Sequence, residues 1–161
     1  MANGRAAQSK RKAKSRGGKR DPGAFIAFPC AVGNSPGWRQ AGHTARSLLF
    51  DIVMGYTGSN NGRLTASLEA MSARGWESPG VLTQAKQELI ACGLLVETRK
   101  GGFPNRAAWY AVSWFDLDQT EELDINPKNY DSVHRSAYLR PQPYERPKRG
   151  GGKPLAQLRA A

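Results

Sequence analysis

The sequence predicts an α+β domain, three helices followed by a two-stranded β-hairpin, with a basic tail on each side. Two observations predict it. Between Ser78 and Trp114, a helix with stop and start signals at both ends runs directly into two β-rich stretches around a glycine turn. Charge is also segregated along the 161 residues, whose formal net charge is +11. Residues 1–23 hold eight Lys or Arg against the single acid Asp21, and residues 128–161 hold eight against Asp131 and Glu145. The middle, 24–127, is close to neutral, with eight basic and ten acidic residues.

Residues 1–23 contain no Leu, Ile, Val, Phe, Tyr or Trp. They cannot bury enough apolar surface to offset chain entropy and are expected to be disordered. Phe25 to Pro29 reads as a short extended entry that Pro29 keeps at an edge, and Asn34 to Trp38 as a turn. Thr44 is placed to cap a first core helix, with Leu48, Leu49, Ile52 and Val53 as its apolar stripe. Gly58 to Arg63 is a loop with an Asn-Gly turn signal. Arg63-Leu64 suits a short strand. Thr65 is then placed to cap a second, shorter helix, with Leu68 and Met71 inward and Gly75 as its stop.

Ser78 opens the main helix. Its hydroxyl can accept from a free N–H of the first turn, and Pro79 suits the first helical position. Leu82, Ala85, Leu89 and Cys92 share one face, and Gly93 is placed for the left-handed residue that ends a helix. Leu94 to Lys100 and Ala107 to Trp114 are the hairpin strands, with Tyr110, Val112 and Trp114 toward the core. Helix, loop, short helix, tight turn, helix and hairpin is the order of a winged helix-turn-helix. The folded domain is expected over 24–125. Residues 126–161, rich in Pro, Arg and Gly, are expected to form an extended or disordered basic arm.

That outline points to double-stranded DNA. Thr83, Gln84 and Gln87 lie on the face of the main helix opposite Leu82, Ala85 and Leu89. Glutamine can pair bidentately with adenine in the major groove, and threonine can bond a base edge or touch a thymine methyl. Lys86 at the flank, with Arg99, Lys100 and Arg106 at the hairpin tip, suits phosphates. In the N-terminal tail, Lys10, Arg11, Lys12, Lys14, Arg16, Lys19 and Arg20 suit nonspecific phosphate attraction. Two other classes compete: a protein-interaction module using the acidic stretch Asp116, Asp118, Glu121, Glu122 and Asp124, and an RNA-binding or ribosome-associated protein acting through its tails. The acidic stretch is otherwise a solvated linker, or a shield for the basic arms when DNA is absent.

Catalysis has little support. His43 and His134 stand beside no cysteine or carboxylate cluster, and Gly150 to Pro154 lacks the Gly-x-x-x-x-Gly-Lys-Ser/Thr phosphate-loop pattern. No zinc spacing exists, the acids are not spaced like an EF-hand loop, and no cofactor is expected. Cys30 and Cys92 are far apart, which favours reduced thiols and a reducing, cytoplasmic setting. No secretory apolar region or membrane-length apolar run is present.

The stretch from Asn60 to Trp114 carries a resemblance, through Asn-Asn-Gly, Arg-Gly-Trp before the main helix, Glu-Leu and Gly-Leu-Leu at its end, and Trp-Tyr-Ala in the last strand. It is similar to small uncharacterised proteobacterial proteins of prophages, plasmids and integrated elements, over about residues 25–125. More distantly, its layout resembles the N-terminal winged-helix domains of phage and plasmid replication proteins. What the resemblance implies is a role in transcription or replication of a mobile element.

Overall fold

The computed structural model describes residues 25–104, 106–118 and 121–147. Among them are six α-helices and one antiparallel hairpin, an α+β arrangement. The basic tail 1–23 and residues 148–161 lie outside the described residues.

Helix α1 (Cys30–Gly33) precedes the stretch Asn34 to Trp38 that reads as a turn, and α2 (Pro36–Gln40) starts within it. Ser35 Oγ accepts from the Trp38 N–H at 3.1 Å and Pro36 takes the first helical position, so this turn continues into a helix. Helix α3 (His43–Val53) starts one residue before the expected Thr44 cap, from Gly42. Its stripe of Leu48, Leu49, Ile52 and Val53 is buried. Helix α4 (Leu68–Ser72) is capped by Ser67, whose hydroxyl accepts from Ala70, and not by Thr65. Met71 is buried as expected, whereas Leu68 stays exposed.

Helix α5 (Pro79–Ala91) matches the expected span, with Ser78 Oγ accepting from Val81. Gly93 ends it at φ +68, the left-handed region where a side chain is strained. The helix packs against α3, and Leu82, Ala85, Leu89 and Cys92 join the core. Strands β1 (Leu95–Arg99) and β2 (Trp109–Val112) pair antiparallel with Leu95 opposite Val112, and the register shifts between Glu97 and Arg99. Leu64 bridges to Tyr110 as a one-residue third strand, where Arg63-Leu64 was expected to be extended. Tyr110, Val112 and Trp114 are buried on one face of the hairpin.

The loop before Leu64 is held by Asn61, which is fully buried. Its amide Nδ2 donates to the Val112 and Asp116 carbonyls at 3.1 and 2.8 Å, and its Oδ1 accepts from the Val112 N–H at 2.8 Å. One side chain thus ties the loop to the end of β2 and to the start of the acidic stretch.

The expected boundary at 125 is too early, and the arm is not wholly extended or disordered. A 3₁₀ turn (Pro127–Asn129), helix α6 (Tyr130–Val133) and a second 3₁₀ turn (Ala137–Leu139) fold back on the domain. Tyr130 covers the far face of the hairpin with Val96 and Ala111, and its hydroxyl donates to the Val112 carbonyl at 3.0 Å. Tyr138 joins the main core. Two isolated tyrosines therefore anchor a segment whose proline content had argued for solvent exposure.

Candidate nucleic-acid interface

Helix α5 has three sides, and each follows from its sequence. Leu82, Ala85 and Leu89 face the core. The second side, along Gln84, Glu88 and Ala91, is bordered by the chain after Arg140. The Gln142 N–H donates to the Ala91 carbonyl at 2.7 Å, and the Tyr144 hydroxyl to the Gln84 carbonyl at 3.2 Å. Arg146 donates through Nη2 and Nε to Glu88 at 3.0 and 3.1 Å. Glu88 is buried, and its Oε1 also accepts from the Gly42 N–H at 2.7 Å, which fastens α5 to the start of α3. The segment runs antiparallel to α5 and reaches Pro147 beside Val81 and Gln84.

The third side is open. Thr83 and Gln87 stand exposed on it, in line with Gly80 before them and Ile90 after them. Gln84 is exposed as well, at the border with the chain that packs on the second side. The three expected base-reading residues are thus all exposed on one helix, with Thr83 and Gln87 central and Gln84 at the margin.

Lys86 is half-buried at the flank of the helix. Its ammonium donates to the Ala66 carbonyl at 3.3 Å and lies 5.9 Å from the Tyr110 ring centroid. Burial lowers its pKa, with Glu97 nearby opposing that shift. The residue belongs to the seam between α5 and the hairpin, where one of its three ammonium donors is engaged. The same burial pushes the Tyr110 hydroxyl up to about 12.

The hairpin tip is closed by the Gly102–Arg106 bridge, with reciprocal backbone bonds of 2.9 Å. Of its three expected phosphate ligands, two are engaged within the chain. The Arg99 guanidinium lies 3.0 Å from the centroid of the Trp109 indole, and its Nη1 meets Glu122 Oε2 at 2.9 Å. Arg106 Nη2 meets Asp124 Oδ1 at 2.6 Å. The Lys100 N–H donates to Asp124 Oδ2 at 2.8 Å, while no ion pair engages the exposed Lys100 ammonium among the described residues. The hydrogen bond from Arg106, then that from the Lys100 N–H, holds the Asp124 carboxyl below its ordinary pKa.

The acidic stretch is consequently not a solvated linker throughout. Asp116 pairs with Arg135, Asp118 accepts from the Asn61 N–H, and Glu122 and Asp124 sit on the hairpin. Sequence reasoning missed Arg63, whose guanidinium is 4.5 Å from the Trp109 centroid and 4.0 Å from Glu122. Arg63 directly precedes Leu64, whose bridge to Tyr110 sets Arg63 beside the adjacent Trp109.

Among the described residues, no cluster of His, Cys, Asp or Glu is arranged to hold a metal ion, and no helix is long and apolar enough to cross a membrane. The class that these features define is an α+β chain with an open polar helix face beside a cation-bearing hairpin. Comparison with family models, curated proteins and solved structures finds no match to this chain.

Proposed function

We propose that the protein is a winged helix-turn-helix that binds double-stranded DNA without catalysing a reaction, with α4 and α5 as the helix-turn-helix and the hairpin as the wing. In this reading α5 enters the major groove, Thr83 and Gln87 meet base edges, and Gln84 contributes at the margin. Lys100, Arg106 and Arg99 reach phosphates from the wing, and the basic residues of the tail add sequence-independent attraction.

The observation that carries the proposal is the open side of α5. Its other two sides are occupied by the core and by residues 142–146, which leaves one polar, neutral stripe pointing away from the body. A groove reader needs such an exposed stripe of hydrogen-bonding side chains, because contacts to base edges distinguish bases while contacts to phosphates do not. Net charge is the second support: +11 overall, with the excess in the chain's two ends.

A role in transcription or replication of a mobile element goes with this proposal and rests on the sequence resemblance alone, and a cytoplasmic setting rests on the two separated cysteines. The test is a salt titration with duplex DNA, single-stranded DNA and RNA. Duplex preference that persists as salt rises is the expected result. RNA preference would favour the ribosome-associated alternative, and no nucleic-acid affinity at low salt would favour a protein-interaction module.

A further inference from the structure

The carboxylates on the wing occupy the positions that phosphates need. Glu122 and Asp124 do not merely lie near cations. Each binds a donor that the DNA-binding reading assigns to the backbone of a duplex: Arg99 Nη1 at 2.9 Å for Glu122, Arg106 Nη2 at 2.6 Å for Asp124. Asp124 Oδ2 also takes the backbone N–H of Lys100 at 2.8 Å, a donor that an anionic oxygen at the tip would otherwise accept.

The segment that carries them is fastened to the body. The Asp124 N–H donates to the Thr98 carbonyl at 2.8 Å, so the chain runs beside β1. At its other end, Asp118 accepts from the Asn61 N–H at 2.9 Å. Between these ties, Glu122 adopts φ +58, a left-handed conformation unusual for a residue with a side chain, and from it the carboxylate reaches both Arg99 and Arg63. Glu121 forms no ion pair or hydrogen bond among the described residues, so the pairing is selective within the stretch.

We propose that residues 121–124 form an acidic strap whose Glu122 and Asp124 carboxylates stand in for two backbone phosphates on the wing, and that duplex DNA must displace them to engage Arg99 and Arg106. This rests on the DNA-binding reading and adds regulation of its phosphate site. The strap costs affinity twice: the intramolecular pairs must open, and two negative charges must move away from the incoming backbone. Both terms are sequence-independent. The strap therefore weakens nonspecific binding and leaves base discrimination by α5 unchanged.

The test compares the full chain with the variant Glu122→Gln/Asp124→Asn in low-salt binding isotherms on a mixed-sequence duplex. A control variant, Glu121→Gln/Asp131→Asn, removes the same charge away from the wing cations. The strap variant should bind about 3- to 30-fold tighter, as two exposed ion pairs allow, and the control should gain clearly less. In the unaltered chain, the side-chain carboxylate ¹³C resonances of Glu122 and Asp124 should move on addition of duplex while that of Glu121 stays. That measurement keeps the idea testable should the strap variant unfold. Equal affinity of variant and unaltered chain, an equal gain in the control, or unmoved carboxylate resonances in a chain that binds duplex would each overturn the strap and leave the DNA reading intact. Absence of duplex binding by the unaltered chain and both variants would overturn the DNA reading, and the strap with it.

Discussion

Replacing Asn61 by Ala removes a fully buried side chain that joins three parts of the chain. Four hydrogen bonds are lost: the two Nδ2 protons are shared among the Val112, Asp116 and Phe115 carbonyls, that to Phe115 the longest at 3.4 Å, and the Val112 N–H donates to Oδ1. A net hydrogen bond contributes about 1 kcal/mol, and a buried donor left unpaired, here the Val112 N–H, costs about 1–3 kcal/mol. The Val112 carbonyl still has the Tyr130 hydroxyl, so it is not orphaned. The sum is a loss of about 3–5 kcal/mol, a large share of the stability of a domain this size. Urea unfolding followed by circular dichroism measures it. With a slope of about 1.5–2 kcal/mol per molar, the midpoint should fall by about 2 M. Asn61→Asp should cost at least as much, because it turns the Nδ2 donor into an acceptor facing two carbonyls. A loss under about 1 kcal/mol in both variants would refute the assignment of Asn61 as the tie between loop, hairpin and acidic stretch.

Leu89→Ala should lower stability by about 2–5 kcal/mol through transfer and cavity terms, since Leu89 is fully buried between α5 and the core; an unchanged melting temperature would mean that α5 presents a different face. Gly93→Ala should cost about 2–5 kcal/mol, from the left-handed backbone and from a Cβ driven against the Ala137 backbone, and calorimetric unfolding reads it. Desolvation lowers the pKa of His134 below 6.5, so the folded chain favours the neutral imidazole and the unfolded chain binds the proton first. The stability that this provides is complete above the ordinary value and is lost as pH falls through the folded one, so melting temperatures at pH 7.5 and 5.5 should differ less in His134→Gln than in the unaltered chain.

The elements legible in the sequence were those whose signals reinforce one another. Ser78-Pro79, the Leu82–Leu89 stripe and Gly93 mark the same helix three ways, and its span matches. Ser35-Pro36-Gly37 carries the same cap and proline signature as Ser78-Pro79-Gly80, yet it read as a turn because only a few residues follow and no stripe repeats. The packing of residues 126–147 was not legible, since Tyr130 and Tyr138 act singly and leave no period to detect. Proline had argued for an exposed arm, but an extended backbone also suits a segment laid along a helix, as Pro141 to Pro147 is laid along α5. At the candidate interface, exposure of Thr83, Gln84 and Gln87 followed from helical spacing alone. The fates of Lys86, Arg99 and Arg106 did not, because each depends on partners distant in sequence: Ala66, Glu122 and Asp124.

The most direct test of α5 as a base reader is a set of binding isotherms for Gln87→Ala and Lys100→Ala on a duplex selected from random DNA and on its scrambled counterpart, at several salt concentrations. Gln87 is exposed on the open stripe and carries no charge. Its loss should cut discrimination between the duplexes by about 1–3 kcal/mol and leave scrambled-duplex affinity and salt slope nearly unchanged. Lys100→Ala should weaken both duplexes alike and reduce the salt slope by about one unit. Full discrimination retained by Gln87→Ala, and by Gln84→Ala beside it, would contradict base reading by this helix.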